Sequence, residues 1–275
     1  MEKATTVQDK EAPLVEHLRE LALRLRKVVL GLLITTAVYF FVGFKVVQVN
    51  GVLVPVPQFS LYHSIAAEFM RAFIAHDLAG NLRLLTLNPF DPLYAGLVTA
   101  LFLALLTNLP LMLYEFWAFV SPGLYEHEKR LFKSTVVPAF LLFLAGAAFA
   151  YFIIVPVMMY FTYEYDVQLG VEATLSLRSY VDTVMKLMGG VGLAFEAPLV
   201  MTGLTYLGVV KAEDWSKNWR FGVAGAWIIA WILSPGTTGG LIESTIGVTL
   251  TTLYFAGVLA SKYVEKRAKK VKANA

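Results

Sequence analysis

The sequence predicts an all-α polytopic membrane protein with six transmembrane helices and both termini in the cytoplasm. Three observations carry that expectation. Of 275 residues, 57% are hydrophobic and 16% are charged, with a mean hydropathy of +0.64, against roughly 45–50% and about 25% in soluble domains. Long apolar stretches recur along the chain, and the Lys and Arg residues fall into the segments between them with a marked bias to one side. This composition excludes an ordinary soluble globule and a disordered chain. The absence of cysteine excludes a disulfide scaffold, thiol chemistry and Cys-ligated metals. A net charge of +3 is too small to suggest a nucleic-acid partner unless the charges are segregated, and their segregation follows the membrane pattern instead.

Residues 1–27 read as a cytoplasmic amphipathic helix. Leu14, Leu18, Leu21, Leu25 and Val28 alternate steps of four and three, with Glu16, His17, Arg19, Glu20, Arg24 and Arg26 between them. Mixed acids and bases, and no small-residue cleavage site, argue against a secretory signal peptide. Val28 to Phe44 carries no charge and forms a first span of about 25 Å. That is at the lower limit for a hydrocarbon layer of roughly 30 Å. Further spans are expected at about 92–119, 134–163 and 180–207. Two shorter ones follow at 221–233 and 240–260, divided by Ser234-Pro235-Gly236, which a helix does not easily continue through. The fifth, about 20 Å long, falls short of the hydrocarbon thickness. Two readings stand for it: a segment that thins the bilayer, or a helix anchored at its interfaces by Trp219, Trp227 and Trp231.

The segment 46–90 lies outside the cytoplasm in this scheme. Leu61, Ile65, Phe69 and Phe73 repeat every four residues there, which predicts an amphipathic helix on the outer surface or capping the bundle. A basic cytoplasmic tail, 262–275, closes the chain. The spans 28–261 form one membrane domain, with no soluble domain large enough for its own core.

Six spans put both termini on one side, and the basic residues say which. Arg19, Arg24, Arg26 and Lys27 precede span one, and Lys129, Arg130 and Lys133 lie between spans two and three. Lys211, Lys217 and Arg220 separate spans four and five, and six more bases lie in the tail. The other side receives Arg71, Arg83 and Arg178, with Lys45 and Lys186 at or inside span ends.

Catalytic chemistry is missing from this pattern. None of His17, His63, His76 and His127 falls in a span, and there is no zinc-binding H-E-x-x-H, no phosphate-binding glycine loop and no G-x-S-x-G nucleophile turn. The expectation is a protein that is not an enzyme, holds no cofactor or metal, and draws any energy from outside its own chemistry.

Several polar residues stand out. Glu196, in Phe195-Glu196-Ala197-Pro198, sits in mid-span, where a buried acid costs about 2.5 kcal/mol or more and Pro198 frees a nearby carbonyl. It either stabilises a kink or forms a bundle-facing polar site. Lys186 is too far along the same helix to pair with it, and snorkels outward or pairs with Asp182. Glu20 and Glu128 lie on the basic cytoplasmic side, where carboxylates can receive a cation. Each also has a plainer reading, Glu20 pairing with Arg24 and Glu128 standing near the start of span three.

At these residues the chain resembles the TatC family, the large membrane subunit of the twin-arginine protein translocase. The resemblance rests on His17-Leu18-Arg19-Glu20-Leu21 leading to Arg24-Leu25, on residues Leu113 to Arg130 (LYEFWAFVSPGLYEHEKR), on Gly146 to Phe152 (GAAFAYF), and on Phe195-Glu196-Ala197-Pro198. It implies a receptor for signal peptides bearing two consecutive arginines, working with single-span TatA- and TatB-type subunits and self-associating in the cell membrane. Folded cargo is exported using the proton gradient. It further implies that Glu128 binds the arginine pair, with Glu20 as second acid and Phe119 lining the same surface. Guanidinium forks match carboxylates, and an aromatic face adds a cation-π contact. Tyr151 and Glu196 match positions in the family's outward-facing concave bundle. Where the family shows Gln at the start of span six, this chain has Leu241. Gly239-Gly240 shifts the register, so that Glu243, after Ser234-Pro235, supplies the polar group toward a partner subunit. The arginine that follows Glu-Leu in the family is Ala22 here, with Arg19 and Arg24 close by. The alternative reading is a secondary transporter with its midplane site at Glu196, which would call for matching half-repeats that the chain does not show.

Overall fold

Aliphatic residues dominate the long apolar stretches, and a helix satisfies every backbone polar group within its own segment, so most of the chain is helical. The computed structural model describes residues 14–49, 52–77, 83–120, 126–234, 236 and 239–273. In order, these form α1 (Leu14–Phe41), strands β1 (Val42–Val49) and β2 (Val52–Phe59), α2 (Ile65–Asp77), β3 (Arg83–Leu85), α3 (Asp91–Val120) and α4 (Glu126–Phe149). A π-helical turn, Ala150–Ile154, joins α4 to α5 (Val155–Gln168). Then come β4 (Thr174–Ser176), α6 (Leu177–Phe195), α7 (Ala197–Tyr206), the short α8 (Ala212–Lys217), α9 (Trp219–Leu233) and α10 (Leu241–Ala273).

Among the described residues, four stretches are long and apolar enough to cross a bilayer: Asp91–Phe116, Thr135–Gln168, Leu177–Tyr206 and Leu241–Arg267. Helix α9 is apolar but has only 15 residues. The expected first span is different. Residues 14–41 are one continuous helix in which the amphipathic N-terminal segment and the apolar segment share an axis, and the helix stops at Phe41. Val42 to Phe44 belong to β1, which leaves the apolar half shorter than the hydrocarbon layer is thick. Nor are the last two helices both short. Helix α10 has 33 residues, because the tail that follows its apolar part is rich in Lys, Arg, Glu and Ala, which favour the helix.

The main departure from an all-α chain is in 46–90. β1 and β2 form an antiparallel hairpin in which Val49 faces Val52 and Val42 faces Phe59. Gly43 makes the hairpin's return possible. It bridges to Ser64, and a Cβ there would lie 1.7 Å from the His63 carbonyl oxygen. The amphipathic helix expected in this segment is present as α2, starting at Ile65. β3 pairs in parallel with β4, tying this segment to the connection between α5 and α6.

The core is built around α6. Tyr180, Val181, Val184, Leu187 and Val191 are buried there among Ile154, Val155, Ile242 and Ile246. α4 packs closely on α6, since a Cβ on Gly146 would meet the Phe195 ring at 2.7 Å and the Gly192 Cα at 2.9 Å. A second, smaller cluster joins Met201 of α7 to Tyr254 and Val258 of α10, with Trp215 of α8 against it. Trp215 Nε1 donates to Thr205 Oγ1 at 3.0 Å, Tyr254 Oη donates to the Trp215 carbonyl at 2.7 Å, and the Ala212 amide donates to Glu265 at 2.9 Å.

Candidate functional site at the α1–α3 seam

Helices α1 and α3 run antiparallel along a polar seam. At its inner reach the Phe40 ring lies 3.4 Å from where a Cβ on Gly96 would be, and Asn108 Nδ2 donates to Thr35 Oγ1 at 2.7 Å. Towards the N-terminus of α1 the seam becomes charged. Glu20, Arg24 and Lys27 share one face of α1, being spaced four and three apart. Glu115 and Phe119 share the facing stripe of α3 by the same rule. Arg24 donates from Nε at 3.0 Å and from Nη2 at 2.6 Å to Glu20 Oε1, and from Nη1 at 2.9 Å to Glu115 Oε2. Lys27 Nζ donates to Glu115 Oε1 at 3.2 Å. The His17 ring stacks on Phe119 with centroids 4.3 Å apart. The Glu20 hydrogen bond, followed by that to Glu115 and the field of both carboxylates, raises the pKa of Arg24 against a desolvation that lowers it. Arg24 is therefore a fixed positive charge.

Burial divides the two acids. The Glu115 side chain is 6% exposed and that of Glu20 is 36% exposed, so Glu115 is committed to its cations while Glu20 faces a groove lined by Leu23, Arg24, Arg26, Lys27 and Leu30. The plainer sequence reading of Glu20, an i,i+4 pair with Arg24, is present. Glu115 is not among the residues that the sequence singles out. Its signal was an acid placed four residues before Phe119 in an antiparallel partner of a helix with bases at 24 and 27. Glu128 lies in the first turn of α4, and its side chain is outside the described residues.

The other candidates sit elsewhere. Tyr151 lies in the π-helical turn, with its ring 4.2 Å from that of Phe73 and 5.2 Å from that of His76, both on α2. Glu196 stands between α6 and α7. Pro198 occupies the first turn of α7 and cannot donate to the Ala194 carbonyl, which ends α6 at Phe195. Glu196 Oε1 is buried and has no hydrogen-bond partner. Asp182 is drawn to Arg178, at 4.0 Å, in place of Lys186, which is exposed. Arg178 also lies over the Tyr94 ring at 4.0 Å. Ser234 and Glu243 meet across the α9–α10 turn. Ser234 Oγ donates to Glu243 Oε1 at 2.7 Å, and the Gly236 amide donates to Ser234 Oγ at 3.3 Å. Among the described residues no three His, Asp or Glu side chains are grouped as metal ligands.

A family model described as Sec-independent protein translocase protein (TatC) matches residues 16–242, from the first turn of α1 to the start of α10. The chain belongs to the TatC family. A TatC protein of Aquifex aeolicus is 29% identical over 260 residues, covering 94% of this chain and 98% of that one. The TatC protein of Escherichia coli K12 is 26% identical over 260 residues, covering 94% and 91%. A crystal structure of the twin-arginine translocase receptor TatC superposes with a TM-score of 0.71 at 29% identity, covering 90% of this chain and 99% of that one. The seam therefore belongs to a TatC-family membrane protein, a component of a protein translocase, which is a transport assembly and not an enzyme family.

Proposed function

We propose that this chain is the signal-peptide receptor and core subunit of a twin-arginine translocase, exporting folded proteins across the cytoplasmic membrane with the proton gradient as its energy source. The observation that carries the reading is the Glu20 carboxylate. It is about one-third exposed at the charged end of the α1–α3 seam and already holds a guanidinium through two hydrogen bonds, with the Phe119 ring at the same end. A second guanidinium presented by a peptide would find there the acceptor geometry that arginine favours over lysine. Glu128, on the first turn of the neighbouring helix α4, is the other acid of the site.

In this reading the chain crosses the membrane six times. α1 and α9 are the two short crossings, both termini are cytoplasmic, and the hairpin and α2 lie on the outer side. Single-span TatA- and TatB-type subunits and further copies of the chain dock on the bundle, with Tyr151, Glu196, Ser234 and Glu243 as the polar positions that bear on translocation or partner contact. Detergent-solubilised protein should bind a fluorescent peptide with an Arg-Arg motif in preference to its Lys-Lys version, and lose that preference on Glu128→Gln. Equal binding of both peptides would overturn the reading. The buried, unpartnered Glu196 oxygen at a broken helix favours one alternative, a secondary transporter with its site at Glu196. Glu196-dependent uptake of a small solute into proteoliposomes, with no peptide selectivity, would establish that alternative.

A further inference from the structure

We propose that Arg24 is a built-in competitor for the incoming arginine, and that Glu115 is the buried anchor that keeps Arg24 in the seam when the peptide takes Glu20. This inference rests on the receptor reading and adds to it the residue that holds the affinity down.

The guanidinium of Arg24 is shared between two carboxylates in unlike settings. Its Nε and Nη2 edge is spent on Glu20 Oε1, and its Nη1 on Glu115 Oε2. Glu115 is almost fully enclosed, so stripping it of Arg24 would leave a buried acid with Lys27 alone, whose side chain is 63% exposed. The Glu20 contact is the exposed one, and a pair of that kind is weak and readily exchanged. A ligand arginine can therefore displace the Nε and Nη2 edge from Glu20 while Arg24 stays charged, paired and in place through Nη1. No acid is left bare at any point of the exchange.

The cost of displacing Arg24 is the same for either ligand, so the competitor holds affinity down and leaves the preference to the bound state. There a guanidinium meets the Glu20 carboxylate with a planar fork, whereas an ammonium brings a compact, strongly hydrated charge.

Two conservative variants of the full-length protein test this against peptides with Arg-Arg and Lys-Lys motifs. Arg24→Lys keeps a cation for Glu115 and gives up the fork on Glu20. Affinity for both peptides should rise together, by about threefold, with the Arg-Arg to Lys-Lys ratio unchanged, since a surface pair of this kind is worth little more than that factor. Glu115→Gln weakens the anchor and leaves Arg24 to Glu20, so Arg-Arg affinity should fall by a similar factor. A purely structural seam predicts unchanged or weaker binding of both peptides to the first variant, and that result overturns the proposal. Failure of the wild-type protein to prefer Arg-Arg overturns the receptor reading itself, which separates the two failures.

Discussion

The charge on Glu115 is held in a nearly closed seam by one arginine and one lysine from another helix, and that fixes what each residue there can be asked to do. Glu20 keeps an oxygen within reach of solvent, so Glu20→Gln should weaken Arg-Arg peptide binding without unfolding the protein. A charge pair at a partly exposed carboxylate is worth about 0.2–1 kcal/mol, which is roughly a two- to fivefold loss in a titration. At the opposite end, Ser234 donates to Glu243 across the α9–α10 turn. Ser234→Ala should lower the detergent melting temperature by an amount matching about 1–2 kcal/mol. Glu243→Leu should reduce co-purification of a TatA- or TatB-type subunit, and unchanged co-purification would remove Glu243 from the partner surface. These residues were unevenly legible in the sequence. Glu20, Phe119, Ser234 and Glu243 could be named from motif and position. The partnership of Glu115 could not, because an acid near the end of an apolar run acquires meaning only when the antiparallel pairing of α1 and α3 supplies Arg24 and Lys27.

Among the elements, the packing of α4 on α6 makes the sharpest claim. With Gly146 set against Gly192 and Phe195, a side chain at 146 must displace a ring or a backbone. Gly146→Val should cost about 1–3 kcal/mol by overpacking. A Cβ on Gly203 of α7 would have nothing within 4 Å of it, and Gly203→Ala should stabilise by about 1 kcal/mol through helix propensity. Melting curves of the two purified variants should move in opposite directions. The helical elements were readable because apolar length and periodicity are local properties. The hairpin has a local signal as well, since Asn50-Gly51 between runs of valine is a strong two-residue turn signal, but its first residues, Val42 to Phe44, also close the apolar run that marks a span. The π-helical turn at Tyr151 leaves no comparable signature, since it depends on how α4 and α5 fit around α6.

The whole molecule has two ends, one carrying the hairpin, α2 and the β3–β4 pair, the other carrying the charged seam and α8. A cysteine-free chain makes the orientation simple to test. Tyr62, 80% exposed at the first end, should be labelled as Tyr62→Cys by a membrane-impermeant thiol reagent in intact cells. Lys217→Cys, exposed at the second end, should react only after permeabilisation. The reverse pattern would invert the topology. The smaller hydrophobic cluster bears on how this protein is made. Helix α7 finds its main partner in α10, and α8 is fastened by Tyr254 and Glu265, which also lie on α10. Until the ribosome has released the last helix, the segment after Glu196 has little to pack on. A nascent chain that stops before residue 241 should thus be a ready substrate for membrane quality-control proteases, and completion of α10 is the step that closes the second half of the bundle.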